Sequence, residues 1–332
     1  MILSIVVNMY NTAKYMPKCL DSLLEQDILP SDYEIILVND GSTDNSLSMA
    51  KEYQNRSEES ELFPKIKIVN QENKGLAAAR NAGVDVAEGK YLCFVDPDDY
   101  IEKNSLSELL SIMEEKNLDI LRFNYQKVDE EYNNLPDFQS EAEFDYSEGI
   151  ITGIDFLKNR LGIACYVWPY IYRLDLIKSN NIRFIETCYF DDTPWLPRLM
   201  QKAQRVECIP VRHQYYLQRQ GSMVRTNNIE SIKRKVDGQI KLLTLLNEQI
   251  NVANSEVLDW YKKMLDHIVI SILTTVSVSL FSERDKYIRQ IAAMKLLPLA
   301  NGNRLKCLLI NISPSLYCWL IHKRIIGSKR KC

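Results

Sequence analysis

Residues 91–101 read YLCFVDPDDYI. Five residues of strand-forming character, Tyr91 to Val95, run straight into the carboxylates Asp96, Asp98 and Asp99. So short a run reads as a strand buried on both faces. Like charges crowded at its end repel one another and raise each other's pKa. A divalent cation removes that conflict. Mg²⁺ and Mn²⁺ take oxygen ligands and are commonly held by one or two carboxylates plus substrate phosphates. Pro97 fixes φ between Asp96 and Asp98 and stiffens the turn. The competing reading is a helix N-terminus, whose dipole favours acids; it suits Asp99 better than the whole cluster.

Upstream, the same pattern recurs. The runs ILSIVV (2–7), YEIILVND (33–40) and KIKIVNQ (65–71) each end in polar residues. Apolar spacing at Tyr15, Met16, Cys19, Leu20, Leu23 and Leu24 predicts an amphipathic helix over 14–26. A second helix is expected over 44–55, capped by Asp44 or Ser46, and a third after Gly75. Strands alternating with helices mean an α/β fold with a mostly parallel, Rossmann-like sheet flanked by helices. Ligands bind such sheets beyond the carboxyl ends of the strands. Asn8–Asn11, Asp40–Asp44, Asn73–Gly75 and Asp96–Asp99 all fall at such ends, so four polar clusters converge on one edge.

Past residue 100 the pattern predicts a helix over 105–116, a strand over 119–125 and an acidic surface insertion over 128–150. It then predicts strand, helix and strand over 164–184, and a helix starting near Thr193–Pro194. From about residue 225 helical periodicity dominates. The expected organisation is an α/β domain over 1–223, with the ligand edge built from about 1–100. A helical C-terminal extension follows over 224–332.

Composition narrows the class. Apolar residues make up 46% and charged residues 26% of 332, as in soluble globular proteins. A net charge of −3, with no recognised nucleic-acid motif, gives no reason to expect a nucleic-acid partner. None of the eight Cys has a close metal-ligand spacing, so reduced thiols in a cytoplasmic compartment are expected. The apolar start lacks a basic region and reads as the first strand. The longest apolar run, residues 268–281, falls short of the roughly 20 residues that cross a bilayer. A calcium loop beginning at Asp96 fails, because Ile101 stands where Gly is needed.

The stretches SIVVNMYN, EIILVNDGSTDNS, NKGLAAARNAG, EGKYLCFVDPDDYI and YFDDTPWLPRL, in this order and spacing, resemble the successive motifs of the family 2 glycosyltransferases. The resemblance covers roughly residues 1–223 and implies a catalytic domain there, with nucleotide-sugar binding in about 1–100 and an acceptor side in about 101–223. It implies a GT-A fold and transfer of a hexose from a nucleotide-diphosphate sugar, a UDP-sugar above all, with inversion at the anomeric carbon. It implies a glycan or lipid-linked saccharide acceptor, as in polysaccharide biosynthesis. By the same resemblance Asp40 and Asn11 hold the nucleotide base, and Arg80 lies at the nucleotide or diphosphate site. Asp96 contacts ribose or a metal-bound water, Asp98 binds Mn²⁺ or Mg²⁺, and Arg219 folds over the diphosphate. Asp192 matches the general base, with Asp191 where many relatives carry Glu. Leu217 departs from the family's pattern, which often has a second basic residue there.

Other readings stay open at this point. His213 suits a structural role or closure of the diphosphate site. Trp195, Trp168 and Tyr170 suit either core packing or stacking on a sugar. A haloacid-dehalogenase-type phosphatase also uses an Asp-x-Asp after a strand, but on its first strand. A non-catalytic nucleotide-sugar binding module would keep the pocket without the chemistry. Residues 301–332 hold seven Lys or Arg and no Asp or Glu. That composition suits either a docked helix with a solvated tail or a peripheral contact with an anionic membrane, on the inner face of the cell membrane.

Overall fold

A computed structural model describes residues 1–136, 149–186, 188–219, 228–294, 296 and 304–329. The chain forms two units: Met1–Arg160 with Cys165–Thr187 and Trp195–Arg219, and Leu161–Ala164 with Cys188–Pro194 and Gln220–Cys332.

The first unit opens with β1 (Leu3–Met9), α1 (Met16–Leu24), β2 (Tyr33–Asp40), α2 (Ser46–Glu58), β3 (Lys65–Gln71), α3 (Leu76–Val86) and β4 (Tyr91–Val95). Every residue of β1, β2 and β4 is buried. Their apolar runs are continuous because both faces are covered. Leu3, Ile5, Val7 and Met9 share a cluster with Met16, Cys19, Leu20 and Leu23 of α1. On the other face, Gly83 of α3 sits so close to Val6 that an added Cβ would lie 2.4 Å from its Cγ1.

These four strands are parallel, and their register aligns the polar ends. Val7 pairs with Val95, Met9 with Asn39, and Asp40 with Gln71. Asp96 therefore leaves the sheet beside Asn8, and Asp40 leaves it one strand away. The expected βαβαβαβ order is the order observed.

The unit continues through β5 (Tyr100–Ile101), α4 (Leu106–Glu115), β6 (Ile120–Val128), α5 (Gly153–Asn159), β7 (Tyr170–Arg173), α6 (Leu174–Ser179), α7 (Asp192–Met200) and β8 (Val206–Leu217). The first three residues of α7 belong to the second unit. All eight strands make one sheet in the order β3-β2-β1-β4-β7-β6-β8-β5. β7 runs antiparallel to β4 and β6, and β5 antiparallel to β8, so the sheet is mixed beyond β4.

Two expectations are corrected here, and one strand was not expected. Asp99 does not start a helix: the chain enters β5, whose Tyr100 and Ile101 pair with Tyr215 and Gln214. No strand forms at residues 182–184; the Phe184 N–H donates to the Asn81 side chain instead, at 2.9 Å. The long strand β8 had no alternating pattern to announce it. It carries Pro210 and meets β6 through register shifts. Of the acidic insertion, residues 137–148 lie outside the described residues.

The second unit is helical: α8 (Ile229–Ile250), α9 (Leu258–Ser279), α10 (Arg284–Ala293), α11 (Arg304–Ile312) and α12 (Pro314–Lys329). Asn228 caps α8 by accepting the Ser231 N–H at 2.8 Å. α9 supplies the core, burying Trp260, Tyr261, Met264, Ile268, Ile272 and Val276. No helix of the described residues is long and apolar enough to cross a membrane.

Candidate active site

The strand ends of the first unit are tied into one rim. The Asp40 carboxylate, 4% exposed, accepts three hydrogen bonds. They come from the Gln71 side chain and the Lys74 N–H on one oxygen and from the Gly75 N–H on the other, each at 2.8 Å. A carboxylate offers about four lone-pair positions, so one stays open to a further N–H. Gly75 has φ 90 and starts α3, which carries Arg80.

Next to it, Asn11 adopts φ 54, a conformation Asn tolerates. Its side-chain oxygen accepts from the Thr43 N–H at 2.8 Å, and its own N–H donates to Ser42 Oγ at 3.2 Å. The Thr12 N–H donates to Ser46 Oγ, and the Ala13 N–H to Asp44. The loops after β1 and β2 are thus laced together beside Asp40.

Arg80 is 2% exposed, with Nη2 3.8 Å from Asp96 Oδ1. Its guanidinium lies over the rings of Phe184 and Phe94, 5.3 and 6.0 Å from their centroids. Arg80 is therefore a buried residue aimed at the rim.

Asp98 and Asp99 do different work. Asp99 is 1% exposed. It accepts the Leu217 N–H at 2.9 Å and the Gln214 side chain at 3.2 Å, which fastens the end of β8. Burial, then Asp96 and Asp98, push its carboxyl well above the usual carboxylate range. Asp98 keeps about a fifth of its side chain exposed and accepts Arg219 Nε at 2.6 Å. The Arg219 guanidinium also lies 4.8 Å from the centroid of Tyr15, in the loop that follows Asn11. Asn11, Tyr15, Arg219 and Asp98 thus follow one another around the same rim as Asp40, Arg80 and Asp96.

Asp96 and Asp98 carry the donor chemistry a hard cation takes, carboxylate oxygens at the rim. Asp98 already holds a positive charge, the Arg219 guanidinium, on one of its oxygens. No third His, Cys, Asp or Glu among the described residues joins Asp96 and Asp98 in a metal-holding group. An ion bridging to a diphosphate needs only one or two carboxylates from the protein.

Asp191 and Asp192 belong to the second unit. Asp191 is 5% exposed, and Asp192 opens α7, where the helix dipole favours a carboxylate.

Burial settles the aromatic residues. Trp195 is fully buried and stacks on Phe184 at 4.5 Å, with its Nε1–H donated to the Ile182 carbonyl. Trp168 and Tyr170 are buried as well. These three are core residues rather than sugar platforms. His213 is structural: 2% exposed, with Nδ1 2.7 Å from Ser105 Oγ.

Gln71, Gln214 and Tyr15 are rim residues that the sequence reading did not single out. A Gln gives no pattern of its own, and Tyr15 reads as one more residue of an amphipathic helix. A groove of about 990 Å³ lies elsewhere, along β3 and the C-terminal part of α2.

A parallel run of strands whose loops present acids and a buried Arg at the carboxyl ends makes that edge the candidate ligand site of an α/β protein. The model of the glycosyl transferase family 2 matches residues 4–174, just over half of the chain. The chain belongs to that family. This membership sets aside the phosphatase reading.

The chain is 33% identical over 225 residues to the uncharacterized glycosyltransferase YibD of Escherichia coli. That match covers 65% of this chain and 61% of the relative. The crystal structure of residues 1–349 of TarS from Staphylococcus aureus superposes with a TM-score of 0.71 at 21% identity, over 100% of this chain and 92% of that one. The same TarS fragment has been solved with UDP-GlcNAc. The mannosyltransferase PcManGT from Pyrobaculum calidifontis, solved with GDP-Man and Mn²⁺, gives a TM-score of 0.59 at 15% identity, over 96% and 86% of the two chains. The fold is thus the GT-A-like fold of TarS, with helices at its C-terminal end.

Proposed function

We propose that this protein is a metal-dependent, inverting glycosyltransferase. It moves a hexose from a UDP-sugar to a hydroxyl of a glycan or lipid-linked saccharide. The observation that carries the reading is the Asp98–Arg219 pair on the rim that also holds Asp40, Asn11 and Arg80. Solved relatives of the same fold, bound to UDP-GlcNAc or to GDP-Man with Mn²⁺, support it.

In this reading Asn11 and the open lone pair of Asp40 hold the base. Asp96, kept in place by Arg80, faces the ribose. Asp98 with Asp96 would hold Mn²⁺ or Mg²⁺, which supplies charge stabilisation for the departing diphosphate. Arg219 exchanges Asp98 for the diphosphate when the donor binds, so one cation gives way to another. Asp192 takes the proton of the acceptor hydroxyl as its oxygen bonds to the anomeric carbon. The bond from that carbon to the diphosphate breaks on the opposite side. The catalytic domain is residues 1–223, and residues 301–332 make a peripheral contact with an anionic membrane.

The test is a screen of UDP-, GDP- and dTDP-sugars with Mn²⁺, scored by nucleotide release. Asp98→Asn abolishes metal-dependent turnover. Asp192→Asn keeps donor binding and slows transfer by about 10²–10⁴-fold. Full transfer by Asp192→Asn, with loss in Asp191→Asn, moves the base by one residue. Donor binding without release under any acceptor makes the protein a binding module.

A further inference from the structure

α12 presents apolar residues on two faces. On one, Tyr317 and Cys318 are 1% and 0% exposed. There Tyr317 OH lies 2.9 Å from Thr274 Oγ1, and His322 stacks on Phe281 with Nδ1 2.9 Å from the Ser277 carbonyl. The other face carries Leu316, Trp319 and Leu320, 42%, 48% and 40% exposed. Their i, i+3, i+4 spacing makes one stripe. Lys323 continues it, with Nζ 5.8 Å from the Trp319 ring centroid.

α11 repeats the arrangement. Cys307 and Ile310 are buried, while Leu308 and Ile312 are 56% and 68% exposed. A helix that is apolar all round belongs in an interior or against an apolar medium. Here one side has its interior and the other faces outward.

Charge identifies what the outward side meets. All seven charged residues of 301–332 are cationic, whereas residues 1–300 hold the other 34 Lys and Arg and all 44 Asp and Glu. A positive segment on an acidic chain selects an anionic partner. Leucine and tryptophan interleaved with lysine match the headgroup depth of a bilayer, where apolar side chains enter the acyl boundary and cations meet lipid phosphates. A second copy meeting the same face would bring like charges together.

We propose that the exposed apolar side chains Leu308 and Ile312 of α11 and Leu316, Trp319 and Leu320 of α12, with the cations Lys306, Lys323 and Arg324, lie in the headgroup layer of an anionic bilayer. This deepens the peripheral contact of residues 301–332 and rests on that reading.

The experiment is co-sedimentation of the full chain with vesicles of phosphatidylglycerol and phosphatidylcholine in equal parts, and with pure phosphatidylcholine. Wild type binds the first at least about tenfold better than the second, and salt weakens the difference. Leu316→Glu with Trp319→Glu, at exposed positions, lowers binding by about tenfold or more with an unchanged melting curve. Lys323→Glu with Arg324→Glu does the same. If only the charge variant loses binding, the apolar face is wrong and the basic contact stands. If wild type ignores anionic vesicles, both fall. A wild-type dimer that Leu316→Glu dissociates would assign the face to a second copy and overturn the proposal.

Discussion

His213 shows how burial decides a side chain's behaviour. It packs edge-on against Phe123 at 4.8 Å and lies beside Ser105. Burial lowers its pKa from 6.5 to about 3. The folded chain keeps the imidazole neutral at a pH where the unfolded chain protonates it. Stability is therefore fully present above the unfolded value and is lost as pH falls through the window between 6.5 and about 3. The loss is on the order of 5 kcal/mol at the acid end. His213→Asn keeps a donor toward Ser105 and removes the titration. Its urea midpoint is expected to vary less across that window than that of wild type, and an identical acid slope would refute this origin. The acids at strand ends were legible as positions, because a carboxylate directly after an apolar run stands out in sequence; their separate partners were not. Trp195 was ambiguous, because an aromatic side chain serves a core and a sugar face equally well until its burial is known.

The loop between β3 and α3 depends on backbone more than on side chains. Gly41 has φ +71, and a Cβ there would stand 2.7 Å from the Asn73 nitrogen. Gly41→Ala therefore strains its own φ and pushes on the turn that Asp40 holds, costing about 1–3 kcal/mol. The expected readout is a lower melting temperature together with weaker UDP binding. A variant that melts lower but binds UDP as wild type does would show that the turn takes no part in the site. The alternation of β1 to β4 with α1 to α3 was legible, because continuous apolar runs and 3.6-residue spacing are local signals. β5 and β8 were not. A two-residue strand has no period, and β8 is broken by Pro210 and by polar residues whose partners lie about a hundred positions away. Asp99 is the clearest case: Leu217 and Gln214 hold it, and nothing near it in sequence announces them.

In the helical unit, α12 is part of the fold as well as a candidate contact surface. Removing residues 301–332 takes away Cys307, Ile310, Tyr317 and Cys318, all buried, and uncovers Leu273, Thr274 and Ser277 on α9. Each large buried side chain contributes about 1.5–3 kcal/mol. Calorimetry of the truncated chain is expected to show a lower, broader transition. A transition equal to that of the full chain would mean that α9 does not need this cover. Vesicle binding is accordingly read on point variants at exposed positions, where the helix stays packed.

Local chemistry in the chain determined the parallel start of the sheet, the edge at which its acids gather and the family to which it belongs. Those properties follow from side-chain periodicity and from which residue types end each strand. Only the tertiary structure decided which acid does what. Asp99 holds the end of β8, Asp40 holds the Lys74–Gly75 turn, and Asp98, about a fifth exposed, pairs with Arg219. The three are alike as residues. They differ in burial and in partners brought from distant parts of the chain, and neither is written in the local sequence.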